Sequence, residues 1–389
     1  MTLRVEVART FADVERLASM WDSIPWQREE AERAFFLARA GARSETLAPF
    51  AVFVLDGERP VGALAGRIDS RRLPAKLGYT SLYAPRVRLL HVIDGGVYLP
   101  DQATIVAAQA AVSAALGDRE FDAVALPHLP VDSPVLDAFE SLGGSWRRQR
   151  RSRPQSRRRL VLPDSFEQFV ASRSANTRWR IRRDARRLAA TFGDELSLEI
   201  VREPSQIERL FTDADRIAGT TYQRALGAGF ADTPERRALT EVALANGWLR
   251  GYLLYIRGEP IAFWICSVYR GTLMLRLTGY DQAYAELRVG LFLLAKVIED
   301  AIADPAVSIV DFGQGEAAYK QQFGDASELE RDLIVFAPTL RAMRINLLRN
   351  VVLVLAGGAR RTLDATRLTD RVRSGWRDRL RRPRVQSRR

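Results

Sequence analysis

The sequence predicts an α+β protein of two tandem units, each a mixed, mostly antiparallel sheet flanked by helices, followed by a basic helical C-terminal tail. Three observations carry this reading. The same order of elements occurs twice along the chain. Each copy holds a Gly-Glu hairpin with a proline near the head of the return strand. Arginine-rich sequence joins the copies and also ends the chain.

Each copy opens with a strand and a helix: LRVEVAR before a helix over 12–20, and LSLEIVR before a helix over 205–218. A hairpin follows, VFVLDGERPVGA at 52–63 and LLYIRGEPIAF at 253–263. Gly57 and Gly258 supply the permissive turn position, and Pro60 and Pro260 open the return strands. A further strand is expected over 88–98 and over 272–280, then a helix over 102–116 and over 290–303, then a short apolar strand over 121–126 and over 307–312. The unit is therefore β-α-β-β-β-α-β. Its last crossover is right-handed and makes the flanking strands parallel. The expected boundaries are 1–146 for the first domain, 147–164 for an arginine-rich connection, 165–338 for the second domain and 339–389 for a basic, amphipathic and partly disordered tail. RRQRRSRPQSRRR, at 147–159, reads equally as a flexible linker or as a strand leading into LVLP.

Composition narrows the chemistry. The chain has 389 residues, 47% of them hydrophobic, enough for two cores. Cys266 is the one cysteine, which excludes a disulfide framework and a cysteine-based metal site and fits a reducing compartment. His91 and His128 are the only histidines, so no paired-histidine metal motif exists. PHLPVDSP brings His128, Asp132 and Ser133 close in sequence, but without the strand-turn-helix context of a nucleophile it reads as a turn. The start of the chain lacks a signal-peptide core, and the apolar run at 351–356 is too short to cross a bilayer. A cytoplasmic location is expected.

The net charge of +12 is unevenly spread. Residues 147–187 carry 15 Arg against 3 acidic residues (+12), and 341–389 carry 15 Arg against 3 Asp (+12), so the remainder sums to 12 − 24 = −12. In SRSANTRWRIRRDARRL, Arg178, Arg182 and Arg186 recur at four-residue spacing and give one helix a basic face. That face is either a solvated surface or a contact for phosphates, with Arg178 and Arg182 as candidate substrate contacts. In the tail, Leu340, Met343, Leu347, Val351 and Leu355 follow a helical period beside arginines. This suits a helix packed on the body, or peripheral contact with the inner face of a membrane.

The most informative stretch is IVDFGQGEAAYKQQFGD, 309–325. A parallel crossover opens the strand ends at Tyr280-Asp281 and at Asp311 on one edge of the sheet, where open sheets bind ligands. Gly290 at the next helix start leaves N–H groups for an anion such as a pyrophosphate, with Arg288 and Leu291 beside it. Gly313 and Gly315 allow a sharp turn, and Asp311, Glu316, Tyr319 and Lys320 follow in its path. A carboxylate there can take a proton from an attacking amine or hydroxyl, and Tyr or Lys can hydrogen-bond a leaving thiolate or an oxyanion. Against this stands a plain structural role, Asp311 capping the next helix and Tyr319 packing beneath it. The first copy lacks both the lysine and the Gly-x-Gly, so only the second is expected to carry chemistry.

DFGQGEAAYKQQFGD resembles the Asp-Phe-Gly-x-Gly-(acid)-x-x-Tyr-Lys-x-x-(Phe/Trp)-Gly signature of the CelD-type acetyltransferase domain, part of the GNAT acyltransferase superfamily and related to FemAB-like peptidoglycan ligases. LLYIRGEPIAFWICSVYRG resembles the family's hairpin, and SRSANTRWRIRRDARRL its basic helical lead-in. The resemblance is firmest over 165–336 and in plan only before that. It implies tandem GNAT-like domains and transfer of an acyl group, such as acetyl, from acyl-CoA to an amino or hydroxyl group of a sugar or of a cell-envelope or exopolysaccharide precursor. Asp311 or Glu316 would be the base, Tyr319 and Lys320 would meet substrate or leaving group, and Gly290, Leu291, Arg288, Gly313 and Gly315 would hold the donor. Tyr280 and Asp281 join Arg178 and Arg182 as candidate substrate contacts. No bound cofactor or metal is expected beyond the acyl-CoA co-substrate. The family's Ser/Pro-Gly pair is replaced here by Val289-Gly290, and the ordinary GNAT phosphate loop is absent. Two other readings remain: a FemAB-like ligase using aminoacyl-tRNA, the one case in which nucleic acid is a partner, and a non-catalytic scaffold at a membrane surface.

Overall fold

Residues 3–77, 80–149, 153–220 and 229–365 are described in this computed structural model. The strands are β1 (Arg4–Ala8), β2 (Thr46–Asp56), β3 (Arg59–Arg72), β4 (Ala75–Leu77), β5 (Thr80–Tyr83), β6 (Arg86–Tyr98), β7 (Ala123–Pro130), β8 (Gln155–Val161), β9 (Leu196–Val201), β10 (Leu249–Ile256), β11 (Glu259–Tyr269), β12 (Thr272–Tyr280), β13 (Ile309–Gln314) and β14 (Ala326–Phe336). The described residues fall into two units, one of 3–155 with 329–365, the other of 156–328.

In the first unit the strand order is β1-β2-β3-β6-β7-β14. β6 and β7 are parallel, joined through the helix Gln102–Gly117, and the other pairs are antiparallel. In the second unit the order β9-β10-β11-β12-β13-β8 repeats that plan, with β12 and β13 parallel across the helix Val289–Ala303. The repeated hairpins share a detail. In both, the register shifts where the proline pairs, Leu55↔Pro60 and Tyr255↔Pro260. Proline cannot donate to a ladder, so a bulge is where a paired strand tolerates it.

The expected fold class is present, with particular corrections. The helix expected over 12–20 is two short ones, Phe11–Arg16 and Ala18–Ser23, because Leu17 leaves helical geometry at φ −97°, ψ 17°. The arginine-rich connection contains a strand, β8, which pairs with β13; residues 150–152 lie outside the described residues. The second domain does not run on to 338 as one body. From Glu330 to Phe336, β14 pairs with β7 and completes the first unit's sheet. Each unit thus receives its sixth strand from chain that follows the other unit's last helix. Of the expected tail, residues 340–365 form a helix and 366–389 lie outside the described residues.

The second unit's core lies between its sheet and the helices Phe166–Ser172, Ala175–Phe192 and Val289–Ala303. Leu254, Ile261, Leu293, Val297, Ile298 and Val310 are all almost fully buried there. Cys266 sits among them at 1% exposure, and burial pushes its thiol up, which fits a packing role rather than a nucleophile. The other face is closed by Phe211, Phe230 and Phe263, stacked edge to face with centroids 5.4 and 5.7 Å apart.

Candidate active site

β12 and β13 pair at only three positions, Thr272↔Ile309, Leu273↔Val310 and Met274↔Asp311. β12 then continues to Tyr280 and β13 to Gln314 without further pairing between them. The two parallel strands part, and the side of β12 beyond Met274 has no strand partner. This opening is what the fold offers to an extended ligand.

The stretch from Asp311 to Lys320 explains the divergence. Register against β8 slips between Asp311 and Gln314, and Gly313 (φ +68°) and Gly315 (φ +92°) take conformations that side chains disfavour. The Asp311 carboxylate accepts from the Gly313 N–H at 2.8 Å and from Arg157 Nε at 2.8 and 3.1 Å, with Arg157 Nη2 at 2.7 Å. The Lys320 ammonium donates to the carbonyls of Gly313 (3.1 Å) and Gln314 (2.5 Å). One acid and one base therefore clamp the same bulge from two sides.

This places four of the expected residues. Asp311 is 3% exposed, and the ion pair occupies its carboxylate, so it is not presented at an open edge as a free base. Lys320 is 7% exposed; burial lowers its pKa, with Asp311 and Glu316 pulling the other way, and its protons go to backbone carbonyls. Glu316 does reach solvent, where Gln321 Nε2 donates to it at 2.7 Å and holds its pKa below the usual range. Tyr319 is half-buried, and its ring meets Trp264 edge to face at 6.2 Å. Burial raises the Tyr319 pKa, so the phenol keeps its proton at neutral pH, and among the described residues its Oη has no hydrogen-bond partner.

The helix Val289–Ala303 begins beside this opening, at the end of the loop from β12. Arg288, its N-cap, takes a left-handed conformation (φ +57°, ψ +35°) and has no side-chain cap to offer. The N–H groups of Val289 and Gly290, in the first turn, have no acceptor. The helix Ala175–Phe192 braces this turn: Arg288 pairs with the buried Asp184 at 3.5 Å, and Arg187 Nη1 donates to the Glu286 carbonyl at 3.3 Å. A Cβ on Gly290 would sit 3.0 Å from Tyr280 Cδ1, so glycine is what allows the Tyr280 ring onto the helix start. Leu291 turns into the core margin, and Asp281 is spent capping the 3-10 turn Gln282–Leu287 through the Ala283 N–H at 3.0 Å.

Of the basic pair, Arg178 is structural; its Nη1 donates to the carbonyls of Ala171 (3.0 Å) and Arg173 (2.7 Å), closing the preceding helix. Arg182 is exposed, on one face with Arg186 and Trp179, whose ring lies 4.5 Å under the Arg183 guanidinium. A groove open to solvent lies between the helices Ala175–Phe192 and Val289–Ala303, with Ile181, Asp184, Arg288 and Phe292 in its walls.

Two residues of this region escaped the sequence. Arg157 lay in a stretch that reads equally as a linker or as a strand, with nothing to single it out among its neighbouring arginines. Trp264 lay in a hairpin strand with nothing to single it out. It is 4% exposed, yet its Nε1–H has no partner among the described residues. A buried donor without an acceptor beside an open-ended phenol can serve a ligand's carbonyl.

The first unit supplies a contrast. Its parallel pair β6/β7 also bonds at three positions, Leu89↔Ala123 to His91↔Ala125. There the strands are tied again further on by Asp94 Oδ2, which lies 3.2 Å from His128 Nδ1 and 3.3 Å from Arg28 Nη1. The Arg28 side chain covers Gly95 so closely that a Cβ there would meet it at 2.6 Å.

Residues 175–321 match the family model of the acetyltransferase (GNAT) domain, entirely within the second unit. No curated protein sequence matches the chain. Among solved structures, FemX aligns with a TM-score of 0.56 at 9% identity over 83% of this chain and 95% of that one. The C-terminal domain (DUF2156) of an Agrobacterium fabrum protein assigned as a lysylphosphatidylglycerol synthetase aligns with a TM-score of 0.51 at 14% identity over 88% and 96%. A tandem GNAT protein from the clavulanic acid biosynthesis pathway aligns with a TM-score of 0.49 at 12% identity over 86% and 99%. Residues 175–321 thus correspond to a GNAT acetyltransferase domain, and the first unit repeats the strand order of the unit that holds it.

Proposed function

Because the second unit carries a GNAT acetyltransferase domain, we propose that the protein moves an acyl group, acetyl foremost, from acyl-CoA to an amino or hydroxyl group of a sugar or cell-envelope precursor. The observation that carries the donor half is the opening between β12 and β13, with two unsatisfied N–H groups of a 15-residue helix at its side. An extended pantetheine arm can add to the free side of β12 by main-chain hydrogen bonds, and a pyrophosphate suits the helix start. The Asp311–Lys320 signature supports the narrower CelD-type reading and hence the glycan or envelope acceptor.

In this reading the acceptor's nitrogen or oxygen attacks the thioester carbonyl directly. Trp264 Nε1–H donates to an oxygen of the acyl-pantetheine arm. The C–S bond breaks, and Tyr319 Oη–H gives the departing thiolate its hydrogen bond or its proton. Glu316, ionised at neutral pH and exposed, is the carboxylate left to receive the acceptor's proton, directly or through water. The bridged strands of the first unit favour chemistry in the second unit alone.

Calorimetric titration with acetyl-CoA and longer acyl-CoAs tests the donor. Saturable binding is expected, weakened about tenfold, or about 1.4 kcal/mol, by Gly290→Leu, which drives a side chain against Tyr280. Affinity undiminished in that variant removes the helix start from the site. Trp264→Phe keeps a ring against Tyr319 but loses the donor; KM for acyl-CoA should rise about fivefold, the worth of one hydrogen bond. An unchanged KM takes Trp264 out of the mechanism.

A FemAB-like transfer from aminoacyl-tRNA is the second reading. The exposed Arg182, Arg186 and Trp179, the two arginines having no acidic partner among the described residues, favour it, since such a face suits nucleic-acid phosphates and bases. Failure of every acyl-CoA to bind, together with steeply salt-dependent tRNA binding, would decide for it.

A further inference from the structure

The helix Leu340–Ala365 is amphipathic the wrong way round for a surface helix of a soluble body. Two of its polar residues, Asn346 and Arg349, point inward. Asn346 is 1% exposed and donates to the carbonyl of Trp146 at 2.7 Å; Arg349 is 4% exposed and reaches the Leu73 carbonyl and, at 2.8 Å, Gln149 Oε1. Its apolar residues point outward. Leu340 is 83% exposed, Leu347 59%, Leu348 47%, Val351 48%, Val354 49% and Leu355 58%. At 100° per residue these six fall within one arc of the helix, opposite Ala342, Ile345, Asn346 and Arg349. The inward face has its hydrogen bonds, so rotating the helix to hide the leucines would strand buried polar groups.

Cations frame this stripe. Arg344 is exposed within it, and Arg341 flanks it with a 65% exposed side chain. Trp146, whose carbonyl anchors Asn346, is itself 77% exposed, an aromatic with an apolar body and a polar tip. Residues 366–389, which continue the chain, contain 10 Arg and 2 Asp, a net +8. No helix among the described residues is long and apolar enough to cross a membrane, so a lipid contact would lie in the plane of the surface.

We infer that the outward face of this helix, with Trp146, Arg341 and Arg344, docks on a bilayer surface bearing anionic lipid. An apolar stripe with cations at its margin matches the acyl and headgroup layers together. A second copy of the chain fits worse, because residues 340–356 carry arginines and no acidic residue for those of a twofold-related copy to pair with. The inference stands apart from the acyl-transfer reading.

The test is co-sedimentation of the full chain with vesicles of phosphatidylcholine alone and of phosphatidylcholine mixed with phosphatidylglycerol. The wild type should bind the anionic vesicles and bind the neutral ones at least about tenfold more weakly. The triple variant Leu347→Ser, Val351→Ser, Leu355→Ser alters only exposed side chains, so its melting temperature and acyl-CoA affinity should be unchanged while anionic-vesicle binding falls about tenfold or more. Equal binding of wild type and triple variant would overturn the inference, leaving charge alone as the attraction. So would absence of vesicle binding, or a dimer by light scattering that the triple variant dissolves.

Discussion

Replacing Tyr319 by phenylalanine is expected to lower kcat about a hundredfold, the lower range for losing a positioned proton donor. KM for acyl-CoA and the melting temperature should hardly move. The ring packs edge to face on Trp264, and phenylalanine preserves that contact. The hydroxyl has no partner among the described residues, so its removal strands nothing in the folded protein. Its removal should therefore be felt only where the hydroxyl meets a ligand. Burial shifts the phenol above its ordinary value of 10.0, which keeps it a donor across the whole physiological range. The sign follows: the wild-type rate is supported while the phenol is protonated and declines only as pH rises through that raised value. The variant should lack this alkaline limb as well as the rate. Steady-state assays of CoA thiol release across pH, with melting curves on the same samples, read all of this. Wild-type kcat in Tyr319→Phe would show that the thiolate leaves without help from this residue.

The sequence made the repeat visible because hairpin chemistry is local. Gly-Glu-Pro after an apolar run calls for a turn and a bulge wherever it occurs, and it occurs twice. The two parallel crossovers were legible for the same reason, each helix being apolar on one side and bounded by turn residues. Strand exchange was not legible, since nothing in Arg157 or in Glu330–Phe336 says which sheet will receive them; that choice belongs to long-range pairing. The candidate site divides along the same line. Sequence found the residues of the β13 bulge, but it could not tell a clamp from a catalyst. A buried Asp is either, until Arg157, 154 residues away in the chain, is seen bonded to it. Trp264 was silent because an indole in a core strand is ordinary, and only the missing acceptor for its Nε1–H makes it otherwise.

Asp311 gives the largest expected effect on stability. Arg157 and Asp311 have side chains 3% and 4% exposed and are joined by a two-pronged ion pair. Asp311→Ala removes the carboxylate from a buried guanidinium, a loss of about 3–5 kcal/mol. At about 2–4 °C per kcal/mol for a domain of this size, the second unit should melt about 6–20 °C lower. It also frees the Gly313 N–H and so loosens the bulge that parts β13 from β12. Turnover would fall in either case, whether Asp311 is a base or a brace, so single variants judged by rate alone are ambiguous. The double variant Arg157→Met, Asp311→Leu separates the two. An apolar pair of similar volume commonly replaces a buried ion pair without loss, so the melting temperature should return toward wild type. Turnover that returns with it makes Asp311 a brace for the opening in which Tyr319 and Trp264 act. A restored fold with no activity would assign Asp311 to the chemistry after all, and the proton acceptor would have to be sought in that carboxylate rather than in Glu316.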